Sequence, residues 1–219
     1  MAGSAHRPQP RSSPDGRTAQ TRAALIAGAI AALREVGYAG ASAREIAARA
    51  GCNQALVFYH FGSVSGLLLA ALDDISARRL AAYTGLLARS SSLADLIDSA
   101  RAIFHEDLES GHVAVLVEMI TGAASTPGLG EQVAERLAPW RTFAAEAVRQ
   151  GLAGSPVEAL LPADDLAHAV VAGFLGLELL ANLDGDLGPA LALFDRARQV
   201  ATLLDFAGSV PSARPGGRS

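Results

Sequence analysis

Apolar residues recur at three- and four-residue spacing through almost the whole chain. Leu25, Ile26, Ala29, Ile30 and Leu33 share one face and predict a helix over about 18–36, ended by Gly37. Ser42, with Glu45 three residues on, has the capping-box pattern and opens a short second helix whose buried face begins at Ile46 and Ala47. Ala50-Gly51 turns the chain, Asn53 caps a third short helix reaching about His60, and Gly62 closes it. Further helices are predicted over about 65–88, 93–108 with Ser92 as cap, 112–124, 131–152, 164–182 and 189–207. Pro139 should kink or divide the 131–152 segment. No run of alternating β-branched residues predicts a strand, so the expected fold is all-α.

Composition narrows the class. The chain has 219 residues, 50% of them hydrophobic and 18% charged, enough for one or two domains with a real core. All 18 basic residues are Arg, which a compositional bias explains more simply than function does. The single cysteine, Cys52, excludes an internal disulfide and a Cys-cluster zinc site and fits a reducing cytoplasm. The longest uninterrupted apolar run, Ala23 to Leu33, is shorter than the ~20 residues that span a bilayer, so no membrane partner is expected. Charge is uneven. Residues 1–62 hold seven Arg against Asp15, Glu35 and Glu45, a net +4, which leaves −8 for the rest of a chain whose total is −4. A basic front end suits a polyanionic partner, although a chance imbalance gives the same count.

The stretch CNQALVFYHFGSV, 52–64, carries the chemistry. A capped short helix, a turn containing Gly and a second short helix make a helix-turn-helix, whose second helix lies in the DNA major groove. Side-chain amides such as Asn53 and Gln54 can pair with adenine, and small Ala55 allows close approach. Val57 and Phe61, four apart, should face the core with Leu56 near them, leaving Tyr59 and His60 for phosphate oxygens. Plain helix packing satisfies the same pattern.

The run from Thr18 to Leu72 resembles the N-terminal domain of the TetR family of transcriptional regulators. The likeness is carried by Gly37-Tyr38 after helix one, by Ser42 with Ile46-Ala47 and Ala50-Gly51 in helix two, and by the aromatic run Phe58 to Phe61. The resemblance implies that Ser42 caps helix two and touches phosphate, and that Arg44 lies near the groove or backbone. It implies that Gln54 and Ala55 meet bases, Asn53 caps the recognition helix, and Tyr59 and His60 hold phosphates. Arg22 and a basic arm would add non-specific attraction. One departure stands out: the family commonly has Lys at the start of helix four, where this chain has Val64 and Ser65. Ser63 and Ser65 hydroxyls can replace part of that contact, and a smaller salt slope is expected.

Residues 1–17, made of Pro, Ser, Gly and Arg without periodicity, read as a flexible basic arm and 209–219 as a flexible tail, while the resemblance implies a DNA-binding domain over 18–65 and a helical effector-binding and dimerisation domain over 66–208. AVVAGFLGLELLA, 169–181, is apolar almost all round, as in a helix packed on several sides. Val170, Phe174 and Leu177 there, with Leu193, Ala197, Val200 and Leu204 on the last helix, are the expected homodimer interface. The same residues can instead close the monomer's own core. His105, Glu118, Met119, Trp140 and Phe143 are candidate effector-pocket residues. His105, Glu106 and His112 make a weak metal set because Gly111 separates the two His, so no metal site is expected. GSVSG, 62–66, has Val64 where a nucleophile elbow needs Ser, and no P-loop or dinucleotide fingerprint occurs. No cofactor and no enzymatic activity are expected. The resulting expectation is a cytoplasmic, ligand-responsive homodimeric regulator of operator DNA, a repressor released by a small-molecule effector. Transcriptional activation, or a helical adaptor whose helix-turn-helix does not bind DNA, is the alternative.

Overall fold

The computed structural model describes residues 14–153, 158 and 162–209. No strand occurs among them. The helices are α1 (Pro14–Gly40), α2 (Ala43–Ala50), α3 (Ala55–Phe61), α4 (Val64–Leu87), α5 (Leu93–Ser110), α6 (His112–Ala123), α7 (Leu129–Arg136), α8 (Ala138–Leu152), α9 (Ala163–Asp184) and α10 (Gly188–Ser209). Two compact units result, residues 1–71 and 72–219, with the division inside α4.

Local chemistry explains most boundaries. α1 starts at Pro14, inside the expected arm, because proline's fixed φ suits a first helical position. The rest of that arm, and the tail after Ser209, lie outside the described residues. Gly37 breaks the helical path at φ 70°, as expected, but the chain resumes helical turns to Gly40. The capping box at Ser42 is only half closed. Ser42 Oγ accepts from the Glu45 N–H at 3.2 Å, but the Glu45 carboxylate turns to Arg49 at 2.7 Å, and the Ser42 N–H donates to the Gly40 carbonyl. At α5 the Ser92 Oγ accepts from the Asp95 N–H, and the Asp95 carboxylate accepts from the N–H and hydroxyl of Ser91, one residue before the cap. Pro139, in the first turn of α8, divides the segment expected to run from 131 to 152.

In the first unit Leu25, Leu33, Ile46, Val57, Leu67 and Leu68 are buried together. α1 and α2 cross so closely that a Cβ on Gly28 would lie 2.8 Å from the Ile46 carbonyl oxygen. In the second unit α8 packs along α9, and α5 along α10. Phe104, Phe174 and Phe194 form one ring cluster with Ala181 and Ala190, and Ala144, Ala145 and Ala167 form a second core. By length and composition the helical stretch 15–40 and α9 are each apolar enough to cross a bilayer, which a search for uninterrupted apolar runs misses. The apolar side of α1 is turned inward instead: Leu25, Ala29, Ala32 and Leu33 are buried.

Candidate nucleic-acid interface and buried cavity

α2 and α3 are joined by Gly51, whose φ of 64° needs a residue without Cβ strain. α3 has two unlike faces. Val57 is fully buried and anchors it, while Tyr59 is 80% and Phe58 52% exposed. Ser42, Arg44, Asn53, Gln54 and Ala55 are exposed beside them, and His60 is half-buried. Asn53 Oδ1 accepts from the Ala55 N–H at 2.8 Å, so the expected capping by Asn53 is an Asx turn, with Gln54 already helical at the cap position.

The far end of α3 is held from α1. Arg22 donates to the His60 carbonyl at 2.7 Å, and its guanidinium lies 4.4 Å from the centre of the Phe61 ring. Arg22 therefore ties α1 to the C-terminal end of α3. Arg49 is likewise tied, to Glu35 at 2.5 Å and Glu45 at 2.7 Å. Arg44 stays exposed on the same surface as Gln54 and Tyr59. At the start of α4, Ser63 Oγ accepts from the Gly66 N–H at 2.9 Å and Ser65 lies 3.5 Å from the Tyr38 hydroxyl. Both hydroxyls replacing the family's Lys therefore have local roles in the fold.

The second unit encloses a cavity of about 160 Å³. Its walls are apolar and aromatic, with Leu72, Ile103, Leu137, Trp140, Phe143 and Phe174 among them. Its ionisable lining residues are Arg79, Tyr83, His112, Arg136 and Glu178, and two of them contact Asp107. Asp107, fully buried, accepts from the Tyr83 hydroxyl and pairs with the Arg79 guanidinium. Arg79 also lies 5.1 Å from the centre of the Trp140 ring and 3.6 Å from a Glu178 oxygen. Burial pushes the Glu178 carboxyl up to about 7, against the opposing pull of Arg79, and burial also raises the Tyr83 hydroxyl.

Sequence comparison places this arrangement. The family described as "Bacterial regulatory proteins, tetR family" matches residues 25–71, the whole of α2 and α3 with their supports. An uncharacterized HTH-type transcriptional regulator of Mycobacterium tuberculosis is 28% identical over 133 residues, covering 61% of this chain and 68% of that protein. Residues 25–71 thus match the TetR regulator domain, and the chain is similar to HTH-type transcriptional regulators. Its fold is similar over both units to the TetR transcriptional regulator of Legionella pneumophila, with TM-score 0.65 and 19% identity over 88% of this chain and all (100%) of that one. It is also similar to FadR of Bacillus subtilis, solved in complex with stearoyl-CoA, with TM-score 0.69 and 12% identity over 82% of this chain and 96% of that one.

The cavity differs from the one expected. Trp140 and Phe143 line it. Met119 is fully buried elsewhere in the core, and His105 sits half exposed with Glu109 at 3.4 Å. Glu118 does not reach the cavity either. Several polar groups that do, Arg79, Tyr83 and Glu178 among them, were not among the expected ones. Glu178 had a signal: it is the only charge in the thirteen residues 169–181. On the expected dimer face, Phe174 and Leu177 turn inward onto the Phe104 cluster. The reason is helical phase, since they share a face with the buried Ala181. Ala197 and Leu204 are half-buried, while Val170, Leu193 and Val200 are exposed. Leu179, Leu180, Leu183 and Leu203 extend that exposed apolar surface.

Proposed function

We propose that this regulator is a ligand-responsive repressor that binds operator DNA as a homodimer and is released when a small molecule fills the cavity of residues 72–178. The observation that carries the DNA reading is the two-sided α3. One face is locked by Val57, and the other leaves Tyr59, Phe58, Gln54 and Ala55 exposed. Ser42, Asn53, Tyr59 and His60 would position the helix on phosphates, with Arg44 near the backbone and Gln54 and Ala55 at base edges. Phe58 adds an apolar contact suited to a thymine methyl.

Dimerisation is supported by the unpartnered apolar surface of α9 and α10. Leu183 is 69%, Leu193 52%, Val200 57% and Leu203 70% exposed, more than scattered surface hydrophobes require. Gly173 and Gly176 lie on α9 with open space where a Cβ would project, which permits a close second helix. A ligand that prefers the form with mismatched half-site spacing draws the population off DNA. The protein would act in the cytoplasm and carry out no chemical step.

Fluorescence anisotropy against DNA from upstream of its own gene, at two salt concentrations, tests this. Tight, sequence-selective binding lost in a Gln54→Ala, Tyr59→Ala double variant is expected. Weak, unselective or unchanged binding would favour a helical adaptor.

A further inference from the structure

Glu178 stands in the middle of α9, is 2% exposed and lines the cavity. Its Oε1 accepts no hydrogen bond. The nearest cation, Arg79, is 3.6 Å away and already engages Asp107, which is further held by the Tyr83 hydroxyl. One guanidinium therefore faces two buried carboxylates, and the fully ionised cluster has a net charge of −1. The other charged groups around it do not restore the balance. Arg136 from α7 is paired with Asp73 at 2.8 Å, Glu106 from α5 adds negative potential at Tyr83, and His112 from α6 sits on the cavity wall. A buried acid serving only the fold would have both oxygens satisfied.

We propose that the cavity takes a small hydrophobic ligand bearing a single positive charge, a protonated amine whose N–H groups donate to Glu178 while its apolar body lies against Trp140, Phe143 and Phe174. The inference rests on the reading of the cavity as the effector site. An amine completes the cluster's charge balance. A ligand carboxylate would be a third negative group beside a single guanidinium. The aromatic wall suits an ammonium's neighbouring groups as well as a ring. The volume of about 160 Å³ is close to that of the ~150 Å³ engineered cavity that holds benzene, so the body is about one ring with a short tail.

Three ligands of one shape separate the charge states: 2-phenylethylamine, 2-phenylethanol and phenylacetate, titrated calorimetrically into the full chain at pH 8. The amine should bind at least about tenfold more tightly than either other ligand, the usual effect of one charge-assisted hydrogen bond. Glu178→Gln should reduce it to the level of the alcohol. The unaltered protein provides a second arm that needs no variant. Its affinity for the amine should fall roughly tenfold from pH 8 to pH 6 as the carboxyl, held up to about 7, takes its proton back, while affinity for the alcohol stays flat. Equal binding of all three ligands, tightest binding of phenylacetate, or an amine preference retained in Glu178→Gln overturns the charge assignment and leaves the cavity as a ligand site. Heat from none of the three at millimolar concentration overturns both.

Discussion

Replacing Glu178 by Gln should make this protein more stable, against the usual outcome of altering a buried ionic group. Burial holds the folded carboxyl up to about 7, against 4.5 for a solvated glutamate. Between those two pH values the folded chain holds a proton that the unfolded chain has released. Folding stability therefore falls as pH rises through the window, and is flat above and below it. At 1.36 kcal/mol per pH unit the cost at pH 8 is on the order of 3 kcal/mol. Glu178 is 2% exposed, so solvent screening removes little of it. Breaking a buried pair normally costs ~3–5 kcal/mol because a charge is stranded. Here Arg79 keeps Asp107, and Gln has the shape of the protonated acid. Urea unfolding followed by circular dichroism at pH 5 and pH 8 measures the effect. The variant should match the parent near pH 5 and exceed it at pH 8, with the pH slope between them flattened. A variant less stable than the parent at pH 8, with the slope retained, would show an ionised Glu178 well satisfied by Arg79 and would refute the reasoning.

Three other perturbations follow from named contacts. Gly28→Ala places a methyl 2.8 Å from the Ile46 carbonyl oxygen and 3.2 Å from the Ala50 nitrogen. The overpacking cost of ~1–3 kcal/mol should exceed alanine's helix advantage of ~1 kcal/mol, lowering the melting temperature and DNA affinity together. Val64→Lys should tighten DNA binding and steepen the dependence of log K on log salt by about 0.9, read by anisotropy across a salt series. Leu183→Glu combined with Leu203→Glu should leave a folded monomer in sedimentation velocity, because both side chains are largely exposed and the fold needs neither. A persistent dimer would move the interface elsewhere.

The helices were legible because their ends are written locally: Ser42 and Ser92 accept from the third residue on, and Gly51 and Gly111 take left-handed turns where they stop a helix. The exposed face of α3 was legible for a related reason. α3 is so short that burying Val57 alone decides which way Gln54 and Tyr59 point. The ionic cluster was not legible. Arg79, Asp107 and Glu178 come from three helices far apart in sequence, and nothing local separates Arg79, 13% exposed, from its neighbour Arg78, 65% exposed on Asp74. Only tertiary packing sorts two adjacent arginines into a buried ion pair and a solvated one. The phase of α9 failed for the same reason. A helix apolar on every side does not announce which side its own core claims, so Phe174 and Leu177 look as available to a partner as Leu180 and Leu183.

Trp140 is the chain's single tryptophan, and it stands in the cavity wall with a guanidinium 5.1 Å from its ring centre and the Tyr83 ring 5.9 Å away. Its emission therefore comes from one site, under the field of Arg79 and its carboxylates. The protein has a built-in optical probe there: titration of Glu178 or arrival of a guest should shift that emission directly, whereas events confined to residues 1–71 add no indole signal of their own.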